Sequence, residues 1–244
     1  LQVLQESDSD VFTYFDVGAN RGDWTGYLRS NTDRDTMGHL FELSPNMQDR
    51  LQQKYGGCDD VHLANCGLSD EEGLVQFRRF LGAEGVNTLL TDNEFWARDI
   101  DSEITDSWVT TVDLYCERNG IDHIDLLKID TEGWEMNVLR GFRRMFEEQR
   151  IDVAQFEYGY LNGENHNVAR DFWIFLEPLG YSVGRLHKTG IDFSPFRYVY
   201  NNFTSGPSST ALRSSSGSTI RSTSCFRRLV TSSEITESCR LPNT

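Results

Sequence analysis

Phe15-Asp16-Val17-Gly18-Ala19-Asn20-Arg21-Gly22-Asp23-Trp24 is the stretch on which the reading of this chain turns. Upstream, Val11-Phe12-Thr13-Tyr14-Phe15 is β-branched and aromatic, as in a buried strand, and from Trp24 to Arg29 the pattern becomes helical. The order is strand, glycine turn, helix. Gly18 and Gly22 can take backbone angles closed to other residues, and the helix start offers unpaired N–H groups, so a small molecule is expected at the turn.

With Asn20 between the glycines, the Gly-x-Gly-x-x-Gly fingerprint of dinucleotide pyrophosphate binding is not met. The strand ends instead in Asp16. An anion facing the ligand suits a cationic cofactor such as S-adenosylmethionine better than a pyrophosphate, which it would repel. Candidate cofactor residues in this turn are therefore Asp16, Gly18, Asn20 and Gly22. Gly38 to Glu42 reads as a second strand ending in an acid, and Ser44-Pro45 starts a helix to about Tyr55, with Ser44 as its cap. Glu42 lies 24 residues beyond Gly18, where a carboxylate accepts the ribose hydroxyls of an adenosyl group. Val61 to Asn65 is a third strand, and the loop after it offers Asn65 and Ser69 for adenine contacts.

Further on, Leu74–Phe80 and Val109–Val112 read as strands added to the α/β scheme, and residues 82–88 as a loop able to close over a substrate. The acidic stretch 92–106 reads as a solvated connection. Asp113–Asn119 is a short helix stopped by Gly120. The second informative run is Ile124-Asp125-Leu126-Leu127-Lys128-Ile129-Asp130-Thr131-Glu132-Gly133-Trp134-Glu135. Its apolar part is a strand buried on both faces, in which Lys128 requires an ionic partner. Asp130, Glu132 and Glu135 follow at the strand's carboxyl end, where open α/β sheets place ligands. A helix is expected from Trp134 to near Gln149. Val153–Tyr158 is another strand bearing an acid, Glu157, followed by a helix over 168–179 whose aromatic residues read as core. Gly180–Val183 and Phe196–Tyr200 read as a final antiparallel pair.

The chain has 244 residues, a formal charge of −15 and a pI near 4.7, which oppose partners bound through phosphate neutralisation, nucleic acid among them. A hydrophobic fraction of 38% supports a substantial core. Five cysteines without CxxC spacing read as reduced thiols, favouring a cytoplasmic setting, and no apolar run is long enough to span a membrane. The chain starts without Met, so an upstream segment stays open. Residues 205–244 contain 12 Ser and 6 Thr, with five Arg against two Glu. Their charge of +3 leaves −18 on residues 1–204, against −15 for the whole. The expected division is a folded domain over 1–204 and a disordered tail over 205–244.

Three runs carry a resemblance: Asp16-Val17-Gly18-Ala19-Asn20-Arg21-Gly22, Phe41-Glu42-Leu43-Ser44-Pro45, and Asp125-Leu126-Leu127-Lys128-Ile129-Asp130-Thr131-Glu132-Gly133-Trp134-Glu135 with Leu139-Arg140-Gly141. Together they resemble the FkbM family of S-adenosylmethionine-dependent methyltransferases over roughly residues 11–204. The resemblance implies a class I, Rossmann-like α/β fold: a mostly parallel seven-stranded sheet with helices on both faces. It also implies O-methylation of a sugar or small-metabolite hydroxyl. Asp130 is expected nearest the methyl group as base, with Glu132 and Glu157 competing for that role. Any of the three could instead orient the acceptor or bind a divalent metal; the absence of an accompanying histidine favours no metal. A catalytically inactive, methyltransferase-like binding module and an NAD-dependent oxidoreductase are the alternatives.

Overall fold

The computed structural model describes residues 10–91, 101–187, 190–193, 196 and 208–214. Its centre is an eight-stranded sheet in the order β10-β9-β11-β8-β7-β1-β2-β3. Five adjacent strands are parallel: β3 (Val61–Ala64), β2 (Thr36–Phe41), β1 (Phe12–Val17), β7 (Ile124–Ile129) and β8 (Ile151–Tyr158). At the other edge, β11 (Ser208–Ser214) runs antiparallel to both β8 and β9 (Tyr181–His187), and β10 (Gly190–Asp192) closes a hairpin on β9.

The mostly parallel α/β class is as expected, but among the described residues the main sheet has eight strands rather than seven. The difference lies at the antiparallel edge. Phe196 is not in a strand and 197–200 lie outside the described residues, whereas 208–214, within the supposed tail, supply the strand between β8 and β9. The sheet thus extends past Thr204. Ser and Thr composition hid this strand because its ladder is made by backbone groups, which every such residue carries. The rest of the tail, 215–244, lies outside the described residues.

Leu74–Phe80 and Val109 also form strands, but not in the main sheet. β5 (Gly73–Phe80) pairs antiparallel with β6 (Ser102–Thr110), and β6 pairs parallel with the short β4 (Gly67–Leu68), making a separate three-stranded sheet. Residues 92–100 of the acidic stretch lie outside the described residues.

Helices α1 (Asp23–Ser30), α2 (Pro45–Tyr55) and α3 (Val112–Asn119) are where the sequence placed them. Ser44 sits at the start of α2, yet its hydroxyl makes no cap; it is fully buried and has no hydrogen-bond partner among the described residues. The helix expected from Trp134 divides at Phe142 into α4 (Glu135–Gly141) and α5 (Arg143–Glu147). Phe142 is fully buried, its ring 6.4 Å from Phe15 and 6.0 Å from Phe146, so anchoring this ring coincides with the break. After β8 come α6 (Tyr160–Glu164) and α7 (Ala169–Leu176), whose Phe172, Trp173 and Leu176 are buried in the core. Every residue of β7 is buried, as a strand covered on both faces requires. No described helix is long and apolar enough to cross a membrane.

Candidate active site

The carboxyl ends of β1, β2 and β7 meet at an open cleft, the place where open α/β sheets hold their ligands. Gly18, Asn20 and Glu42 line one side and Asp130, Glu132 and Trp134 another. The β1 turn is built from left-handed residues: Gly18 has φ +73°, Asn20 +50° and Gly22 +68°. At Gly18 the glycine is required, because a Cβ there would lie 1.8 Å from the Asp130 carbonyl oxygen. Two turns that form the cleft are therefore in direct contact. Gly18 and Ala19 both donate their N–H groups to the Phe41 carbonyl at 3.0 Å, tying the β1 turn to β2.

Glu42 is buried at the end of β2, accepting from Asn20 N–H at 2.7 Å on Oε2 and Ser44 N–H at 2.8 Å on Oε1. Burial pushes its carboxyl pKa up, and these backbone donors oppose that rise. Two N–H bonds use only part of a carboxylate's acceptor capacity, so Glu42 can still receive hydroxyl donors.

Asp16 does not face the cleft. It is fully buried beneath the turn, accepting from Thr25 Oγ1 at 2.7 Å and pairing with Lys128 Nζ at 3.1 Å. The apolar surroundings of the strand end make this pairing preferable to an open carboxylate. Lys128 has the partner its burial demands: besides Asp16 it stands 3.6 Å from Asp130 Oδ2 and donates to the Gly18 carbonyl at 2.9 Å. Burial disfavours its ammonium, but Asp16 and Asp130 overcome this and raise its pKa above the ordinary lysine range.

Gly22, Asn65 and Ser69 are not among the residues lining the cleft. Gly22 packs on α2, where a Cβ would lie 2.5 Å from Tyr55. Asn65 is exposed. Ser69 is buried and accepts from Trp134 Nε1 at 3.0 Å, so it holds an aromatic wall of the cleft in place. Sequence reading missed Gly67, Leu68 and Trp134 as lining residues; apolar or featureless in type, they carried no signal beyond their nearness to strand ends. The loop expected over the site does contribute, through Gly85, Asn87, Thr88 and Leu89. Thr88 Oγ1 donates to the Glu132 carbonyl at 2.7 Å, clasping loop and turn together.

Asp130, Glu132 and Glu157 converge, with one carboxylate oxygen of each within 4.8 Å of the others. Such crowding cannot hold three full negative charges cheaply. Burial, then Asp130 and Glu135, pushes Glu132 up to about 8. Burial, then the charge of Asp130 and a hydrogen bond between the two carboxyl groups, pushes Glu157 up to about 10. Glu132 also has φ +52° and is followed by Gly133 at φ +98°. This turn is held by Glu135, whose buried carboxylate accepts from Thr131 N–H at 2.8 Å, Gly133 N–H at 3.1 Å and Asn162 Nδ2. Asn165 Nδ2 adds a bond to the Gly133 carbonyl at 2.9 Å, so the α6 segment straps the turn from outside.

The sequence also matches the family model for the methyltransferase FkbM domain over residues 16–183. No curated protein matches the chain. Among solved structures, it is similar to a methyltransferase FkbM from Methylobacillus flagellatus KT, with 17% identity and a TM-score of 0.50, covering 84% of this chain but 44% of that one. The chain thus spans less than half the length of that relative. It also matches a precorrin-6y C5,15-methyltransferase from Geobacter metallireducens GS-15 at 12% identity and TM-score 0.42, covering 86% and 83% of the two chains. An rRNA methylase from Streptococcus thermophilus matches at 11% identity and TM-score 0.44, covering 87% and 93%. Because the FkbM model spans most of the residues that build both the sheet and the cleft, this chain belongs to the FkbM methyltransferase family.

Proposed function

We propose that this chain is an S-adenosylmethionine-dependent methyltransferase that methylates a hydroxyl of a sugar or small metabolite. The observation that carries the reading is the cleft itself: Glu42 on one side and the Asp130–Glu132–Glu157 cluster on the other, joined through the Gly18–Asp130 contact. The donor set fits this cofactor. Glu42 retains acceptor capacity for two ribose hydroxyls, Gly18 brings the β1 turn to the cleft with no side chain in the way, and the acidic lining favours a cation.

When bound, the cofactor supplies a methyl group on a sulfonium. Asp16 acts from beneath the turn: it fixes Lys128, and Lys128 fixes the Gly18 carbonyl and Asp130. Asp130 accepts the acceptor's hydroxyl proton, while Glu157, holding its own proton at neutral pH, donates to Asp130 and orients it. Alignment of the two reactants can contribute on the order of 7–11 kcal/mol to lowering the barrier, and base assistance roughly 10²–10⁴-fold. The Trp134 wall and the 82–88 loop limit the access of water to the reacting atoms. The overall negative charge supports a small acceptor over a polyanionic one.

The test is calorimetric titration of the full chain with S-adenosylmethionine, S-adenosylhomocysteine and NAD, followed by a hydroxyl-acceptor screen with radiolabelled methyl donor. Binding of the first two and not NAD, with transfer to an oxygen, supports the reading. A folded chain that binds none of them overturns it in favour of a binding module without catalysis.

A further inference from the structure

A second constellation lies at the opposite, amino-terminal end of the same strands. Asp125 and Asp152 are the second residues of β7 and β8. Because Ile124 pairs with Ile151 and Leu126 with Val153, these two carboxylates sit side by side on one face of the sheet. Adjacent like charges on paired strands oppose each other. His123, immediately before β7, reaches the same place, its Nε2 3.1 Å from Asp152 Oδ2. One nitrogen and two carboxylate oxygens from the three residues lie within 4.8 Å of one another.

We propose that His123, Asp125 and Asp152 form a binding site for a divalent cation of the zinc class, distinct from the methyl-transfer cleft. The donor chemistry selects such an ion: one imidazole with two carboxylates suits zinc and its first-row neighbours, and water completes the tetrahedron. Donor atoms about 2.0–2.2 Å from a tetrahedral ion stand roughly 3.3 Å apart; His123 and Asp152 stand 3.1 Å apart, and the Asp125 oxygen lies within 4.8 Å of both. Asp125 is 1% exposed, and its Oδ2 accepts from Thr13 N–H at 2.8 Å, an outer contact of the kind that fixes a ligating carboxylate. His123 and Asp152 are about two-fifths exposed, which leaves an entry path from solvent. The site borders a groove lined by Thr13, His39, His62, His123 and Asp125. Nearby Asp122 is engaged separately by Arg150 at 2.9 Å, so it does not compete for the ion.

The experiment uses the full chain, stripped with chelator and with its accessible thiols alkylated, titrated with Zn²⁺ by calorimetry and with Co²⁺ by visible absorption. His123→Ala and Asp152→Asn alter half-exposed side chains and are checked for native circular dichroism; Asp130→Asn serves as the arm that reports on the acid cluster of the cleft. The expected result is one Zn²⁺ per chain, a tetrahedral Co²⁺ spectrum without thiolate charge transfer, and affinity reduced at least roughly tenfold in each of the first two variants but not in Asp130→Asn. Zn²⁺ binding unchanged in His123→Ala and Asp152→Asn, loss confined to Asp130→Asn, or no saturable binding at all would each overturn the proposal and leave a plain His–Asp ion pair.

Discussion

Lys128 Nζ stands 3.1 Å from Asp16 Oδ1 and 3.6 Å from Asp130 Oδ2, so one ammonium joins the turn after β1 to the acid after β7. The pair is buried, with side-chain exposures of 9% for Lys128 and 0% for Asp16. Removing one partner strands the other. Lys128→Met is expected to lower unfolding stability by about 3–5 kcal/mol, the cost of an uncompensated buried charge. Urea unfolding measures it, and Asp16→Asn combined with Lys128→Met should recover part of the loss. If the single and double variants prove equally stable, the pair is not the organising contact described.

Glu42 is expected to hold the cofactor's ribose. With charged hydrogen bonds contributing about 1.5–3 kcal/mol each, losing two through Glu42→Ala should weaken binding by at least roughly a hundredfold. Glu42→Gln retains an acceptor for one backbone N–H and should fall between wild type and the alanine variant. Calorimetry with S-adenosylhomocysteine decides this; equal affinity in all three proteins would remove Glu42 from the site.

For catalysis, Asp130→Asn should keep cofactor affinity and lose turnover by roughly 10²–10⁴-fold. Glu157→Gln can still donate a hydrogen bond to Asp130 and should lose much less. Single-turnover methyl transfer separates them, and a larger loss at Glu157 than at Asp130 would exchange their roles.

The acid cluster also sets a pH dependence of stability. In the folded chain burial and neighbouring acids raise Glu132 to about 8 and Glu157 to about 10, whereas the unfolded carboxyls ionise near 4.5. Between those values the folded state holds protons that the unfolded state has released, so stability falls as pH rises. The contribution present below about 4.5 is lost through about 8 for Glu132 and about 10 for Glu157. Each site is worth on the order of a few kcal/mol across its window. Urea midpoints at pH 6 and pH 9 should converge in Glu132→Gln/Glu157→Gln; an undiminished difference in the double variant would locate the effect elsewhere.

Asn162 bonds the buried Glu135 carboxylate that clamps Thr131 and Gly133. Asn162→Ala leaves that carboxylate short of a donor and should destabilise the chain by about 1–3 kcal/mol. Hydrogen exchange should report faster opening of the Thr131 and Gly133 amides, because Asn162 holds their acceptor in place. Unaltered protection would show that the strap is dispensable.

The sequence by itself determined what is local and periodic. The run through Gly18 and Gly22 declared a strand, a left-handed turn and a helix; the apolar residues around Lys128 declared a strand buried on both faces and a lysine in need of an anion. The acids at strand ends, Glu42, Asp130, Glu132 and Glu157, were legible because open α/β sheets present strand carboxyl ends to a ligand. Direction of approach was not legible. Asp16 ends its strand as Glu42 does, yet only the packed structure turns it inward to Lys128, since the choice depends on a residue 112 positions away. Gly22 and Ser69 likewise carry suitable chemistry but answer to Tyr55 and Trp134. The strand Ser208–Ser214, set between β8 and β9, was invisible in composition because a ladder is made by backbone groups that every such residue carries. Tertiary structure alone also brought His123, Asp125 and Asp152 together, since strand register, and no sequence spacing, sets two distant carboxylates side by side.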